Sequence, residues 1–148
     1  MRVTTHWKEK MVFEATADGR SVPMDAKSPI GTDTALTPKQ LVVAGLAGCT
    51  AMDVIALMKK HKQPVESFEI DAEVEKSGKG YPEVFTSASL TFRLKGDLDP
   101  ARVIEAVVSS QTKYCGVSAM LAKAFPIRYR IELNGSLIGE EGRAFPEA

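Results

Sequence analysis

An excess of charge of either sign is missing from this sequence. Nineteen lysines and arginines stand against nineteen aspartates and glutamates, so no basic field exists to hold nucleic acid or an anionic membrane surface. Neither is expected as a partner. Cysteine and histidine are scarce: Cys49 and Cys115 form no CxxC pair, and His6 and His61 stand apart, so the spacing of a metal site is lacking and no metal is expected. The opening residues, MRVTTHWKEK, carry neither the apolar run of a secretory signal nor an arginine-rich transit pattern. The cytoplasm is therefore the expected compartment, and cellular thiols there keep most cysteines reduced. That argues against a structural disulfide. It leaves two readings of the pair: a reactive thiol site, or two small buried hydrophobes. Only Leu41 to Met58 is long and apolar enough to suggest a membrane span. Asp53 near its middle and glycines at 45 and 48 fit a buried helix of a soluble protein better.

What is present suits one globular domain. The chain has 148 residues, 44% of them hydrophobic, enough for a sizeable core. Val3, Thr5 and Trp7 alternate with polar neighbours, as do Met11, Phe13 and Ala15, which predicts a strand pair. Asp18-Gly19 supplies a turn, residues 20–25 a third short strand, and Ala26 to Ala35 a loop rich in Ser, Pro, Gly, Thr and Asp. Thr37-Pro38-Lys39-Gln40 is a strong helix start, with Thr37 as cap, proline at the first position and Gln40 completing a capping box. That helix should run to about His61, with Lys59, Lys60 and Lys62 near its C-terminal end. Its apolar residues occupy nearly all sides, so a central position is expected.

Phe68 to Val74 and Ala88 to Leu94 alternate as a hairpin around Ser77-Gly78-Lys79-Gly80. Asp99-Pro100 opens a second helix, and a shorter helical run follows Cys115. Ile127 to Leu133 reads as the closing strand. These elements predict a single α+β domain over residues 1–134, with 135–148 as a tail or partner-contacting arm. A helix as apolar as 38–61 has too little cover in so small a domain, and Gly45 and Gly48 admit a close neighbour. A homodimer is the simplest remedy.

Cys49 lies in AGLAGCTAMD, among small residues that leave room for a substrate or a partner side chain. Burial alone would raise its pKa, so a reactive Cys49 needs a cation or a hydrogen-bond donor nearby. Cys115 lies in KYCGVS at an expected helix start, where free N–H groups favour thiolate. Asp53, four residues after Cys49, shares its helix face. Unpaired it would oppose the thiolate; paired with a cation it would orient that cation, and a hydrogen-bonded interface aspartate fits equally well. Lys39 is either an activating cation or a solvated first-turn lysine. Met52, Tyr114 and Met120 are candidates to line an apolar pocket, or to be core.

TPKQLVVAGLAGCTAMD followed by TKYCGVSAML resembles the paired cysteine motifs of the OsmC/Ohr family, the osmotically inducible and organic hydroperoxide resistance proteins. The pattern Gly-Cys-Thr-Ala-Met-Asp places the resemblance nearest a less characterised branch. The resemblance implies an OsmC-like fold: antiparallel sheets around a long central helix in an intertwined homodimer, with active sites at the interface. It implies that Cys49 is the peroxidatic cysteine and Cys115 the resolving one, acting on organic hydroperoxides with an external dithiol reductant and no bound cofactor. Better-understood members of the family use an arginine to stabilise the thiolate and a glutamate ten residues before the first cysteine to orient it. Here that position is Lys39, whose ammonium would repel an arginine, and Arg20 is the candidate arginine. The expectation is a cysteine-based organic hydroperoxide reductase. The alternative is a non-catalytic dimer of the same fold that binds an apolar small molecule or senses redox state.

Overall fold

In the computed structural model, residues 1–78 and 80–147 are described, and they fall into two compact units, Met1–Val43 and Ala44–Ala148. The first is a meander of three antiparallel strands in the order β1-β2-β3: β1 (Thr4–Glu9), β2 (Val12–Ala17) and β3 (Arg20–Met24). Trp7 faces Phe13, and Phe13 faces Met24 across the ladders. The β2–β3 link is the expected Asp18-Gly19 turn, with φ of 49° and 73°; a two-residue turn with both residues left-handed matches the twist of a hairpin. The following loop closes on Asp25. Gly31 is required there, because a Cβ at that position would collide with the Ala26 carbonyl and the Asp25 carboxylate.

Helix α1 (Pro38–Lys60) starts with the capping box its sequence promised. The Gln40 N–H donates to Thr37 Oγ1 at 3.2 Å and the Thr37 N–H to Gln40 Oε1 at 2.9 Å, which occupies donors that a helix start leaves open. By length and composition α1 could cross a membrane. Its buried residues, Leu46, Thr50, Val54 and Met58, recur every fourth position and so form one stripe, and the three apolar ones belong to a protein core.

That core lies in the second unit. Beside α1 it contains β4 (Ser67–Lys76), β5 (Phe85–Lys95), α2 (Pro100–Ser109), a π-helical turn (Ser110–Tyr114), α3 (Gly116–Leu121), β6 (Ile127–Leu133) and β7 (Ser136–Arg143). The sheet runs β4-β5-β6-β7. The strand pairs are antiparallel, as expected, except one: β5 and β6 pair in parallel. The helices between them form the crossover that a parallel pair requires. Leu90, Phe92 and Leu94 of β5 and Ile127 and Ile131 of β6 pack with Val103 and Val107 of α2. Each such burial is worth about 1.5–3 kcal/mol. Phe92 stacks on Phe68 and meets Tyr129 edge-on, with centroids 6.4 and 6.3 Å apart.

The stretch 135–148, read as a tail or arm, instead carries β7, hydrogen-bonded to β6. Asn134 and Gly135, with φ of 50° and 83°, form the tight turn between them. Two glycines hide the strand in the sequence. Gly142 in particular lies against the Tyr129 ring, leaving no room for a Cβ. Of the residues assigned to the β4–β5 connection and to this C-terminal stretch, Lys79 and Ala148 lie outside the described residues.

Candidate dithiol site

Cys49 is the twelfth residue of α1, partly exposed, and Cys115 is fully buried; both are free thiols. The Cys49 thiol lies close enough to Cys115 to disfavour its ionisation, so the structure brings together the pair that the sequence could only nominate. Cys115 owes its place to the π-helical turn. The Cys115 N–H reaches back five residues to the Ser110 carbonyl at 2.9 Å; this wider winding is a local cost commonly found at functional sites. Immediately afterwards Cys115 becomes the N-cap of α3, its sulfur accepting the Ser118 N–H at 3.4 Å.

The expectation that this helix start would favour thiolate is only partly met. Burial pushes the Cys115 thiol upward from its ordinary pKa, Ser118 opposes the shift through its hydroxyl and N–H, and the neighbouring Cys49 adds to it. Desolvation outweighs the local donors. The balance favours the protonated thiol at Cys115.

Asp53 is brought into the same unit's polar interior. Its carboxylate accepts from Ser110 Oγ at 2.9 Å. Ser110 and Thr50 hydroxyls lie 2.7 Å apart, Gln111 Nε2 donates to Thr50 Oγ1 at 2.7 Å, and Ser118 Oγ donates to Gln111 Oε1 at 3.3 Å. Thr50, Ser110, Gln111 and Ser118 are all fully buried. Sequence reasoning missed these four. The available signal was Thr50, a polar residue inside the apolar stripe Leu46, Val54, Met58, since a buried polar group needs partners.

The other nominated residues are placed differently. Arg20 opens β3 in the first unit and donates to the Asp18 carbonyl at 3.4 Å. Lys39 is the second residue of α1. Met52, Tyr114 and Met120 are 76%, 50% and 65% exposed in the single chain, and the Lys113 ammonium sits 5.1 Å above the Tyr114 ring. His61 is not isolated but pairs with Glu105 at 3.7 Å. Among the described residues no group of three or more His, Cys, Asp or Glu side chains is arranged to hold a metal ion.

The α+β fold thus carries two neighbouring free thiols, one on its long helix and one at the head of a short one. A family model described as OsmC-like protein matches residues 31–130. The protein YhfA of Escherichia coli is 34% identical over 135 residues, covering 90% of this chain and 98% of its own. A hypothetical protein from Aquifex aeolicus superposes with a TM-score of 0.79 at 20% identity, covering 90% of this chain and 95% of that one. The organic hydroperoxide resistance protein OhrB of Bacillus subtilis does so at 0.61 and 19%, covering 90% and 98%; likenesses this distant bear on the fold. The chain belongs to the OsmC-like family, and this membership supports a redox or peroxide-related role.

Proposed function

We propose that the protein is a thiol-dependent organic hydroperoxide reductase, dimeric and cytoplasmic, working through Cys49 and Cys115 without a bound cofactor. The observation that carries the reading is the proximity of two free thiols of unequal accessibility. The partly exposed Cys49 meets substrate; the buried Cys115 does not. The Cys49 thiolate attacks the outer peroxide oxygen, the O–O bond breaks, and the alkoxide takes a proton to leave as alcohol. Cys49 is then a sulfenic acid. Cys115 attacks its sulfur, the S–O bond breaks, and the departing hydroxide takes the Cys115 proton to form water. An external dithiol reopens the disulfide by exchange and is itself oxidised. The apolar surroundings of α1 favour bulky organic peroxides over hydrogen peroxide.

One observation favours a second reading, a slow redox sensor of the same fold: the Cys115 thiol is displaced toward its protonated form. Consumption of cumene hydroperoxide and of hydrogen peroxide, with dithiothreitol as reductant, decides between them. The parent should turn over cumene hydroperoxide faster than hydrogen peroxide. Cys49→Ser should lose at least about a hundredfold, as expected for a removed nucleophile. Equal slow loss in parent and Cys49→Ser would overturn the enzyme reading.

A further inference from the structure

Ser118 has one hydroxyl proton and two acceptors for it. Gln111 Oε1 lies at 3.3 Å, and the Cys115 sulfur, which accepts the Ser118 N–H at 3.4 Å, lies near enough to the same side chain for its hydroxyl to favour the thiolate. Which acceptor prevails is settled at the far end of the polar chain. As a carboxylate Asp53 has no proton to give, so Ser110 donates to it. Having spent its only proton, Ser110 must accept from Thr50 across their 2.7 Å contact. Thr50 in turn must accept from the Gln111 amide nitrogen, which turns the Gln111 carbonyl toward Ser118. Each link follows from counting protons, and four of the five side chains are fully buried, with no water surface to offer a substitute. The Gln111 backbone is also fixed: its carbonyl accepts the Phe145 N–H at 3.0 Å. The π-helical turn is what sets Ser110 and Gln111, adjacent in sequence, both inside.

We propose that Gln111 and Ser118 are positioning residues of the dithiol site: Gln111 holds the Ser118 hydroxyl proton while Cys115 is a thiol, and Ser118 rotates that proton onto the sulfur when Cys115 ionises. The consequence for turnover rests on the dithiol reading above. In the resting protein Cys115 stays protonated and inert, and attack on peroxide is confined to Cys49. As Cys115 gives up its proton, the thiolate gains the hydroxyl donor that Gln111 held. The ionisable groups on the elements around the site are Lys39, Cys49, Asp53, Lys59 and Lys60 of α1, Arg102 and Glu105 of α2, and Lys113 and Tyr114 of the π-helical turn; α3 contributes none.

The test needs no peroxide. In a Cys49→Ser background, leaving one cysteine, thiolate absorbance near 240 nm is titrated against pH. Ser118→Ala should move the Cys115 titration to higher pH and lower the thiolate fraction at fixed alkaline pH by about tenfold, the size of one hydrogen bond to a charged group. Gln111→Met, similar in length but without the competing oxygen, should move it to lower pH. Thr50→Val, which keeps side-chain volume, should do the same, because the Gln111 amide loses the acceptor that fixes its orientation. Ser118→Thr should restore the parent curve. Shifts of Gln111→Met and Thr50→Val in the same direction as Ser118→Ala, or no shift in any of them, would overturn the proposal. A failure of peroxidase activity leaves these titrations untouched, so the two readings fail separately.

Discussion

The carboxylate of Asp25 accepts five hydrogen bonds from its own loop: the Ala26 N–H at 2.7 Å, and the N–H and hydroxyl of both Thr32 and Thr34 at 2.7 to 3.2 Å. The Thr32 hydroxyl leads in holding it well below the usual carboxylate range, against the opposing effect of burial, with the Thr34 and Ala26 donors adding to it. A lowered folded-state pKa means that the stabilisation is complete above the unfolded value of about 3.9 and is lost as pH falls below it toward the folded one. Asp25→Asn should therefore lower the urea midpoint at pH 7. It should also flatten the loss of stability between about pH 4 and pH 2 relative to the parent, measured by urea unfolding at stepped pH. An equal pH slope in both proteins would show that Asp25 is not the titrating group. Cys115 is displaced in the opposite sense for the opposite reason, since its environment is dominated by burial and not by donors.

At the level of elements, Gly142 of β7 determines whether the last strand can lie flat. Because a Cβ there would enter the Tyr129 ring, and Tyr129 is itself wedged edge-on against Phe92, Gly142→Ala should cost on the order of 1–3 kcal/mol in chemical unfolding, the usual penalty of overpacking. A neutral effect would mean that β7 lifts away freely. This same glycine explains why the strand was not read from the sequence: alternation is visible only where side chains alternate, and Gly139 and Gly142 blank two positions of eight. By contrast the start of α1 was legible to the residue, since a capping box is a local device whose partners lie three positions apart. The parallel pairing of β5 with β6 depends on contacts distant in sequence, and the π-helical turn on the burial of Ser110 and Gln111 against Thr50. Neither has a local signature. The thiol pair was found through its motifs, but the polar chain beside it was not, because Thr50, Gln111 and Ser118 acquire meaning only when sixty positions of chain fold back.

For the whole molecule, the unfinished surface is the argument for a second copy. Among residues 1–43 the side chains of β1 are all exposed, Trp7 at 66%, those of β2 are half-buried, and Asp25 is the sole described residue that is fully buried; three strands with so little cover are marginal in water. In α1 the stripe of Leu46, Thr50, Val54 and Met58 is covered, whereas Val42 and Met52 stand exposed and a Cβ on Gly45 or Gly48 would meet nothing. Each unit thus leaves apolar surface open in the single chain, and the proposed isologous dimer would supply cover for it. Light scattering should give twice the chain mass of 16.0 kDa. The urea midpoint should rise with protein concentration, as mass action requires of a folded dimer. Met52→Glu, which sets a charge on the open face of α1 without touching the buried stripe, should shift the population toward monomer and lower that midpoint. A monomer mass with a concentration-independent midpoint would sink the dimer, and with it the expectation that the active sites lie at an interface.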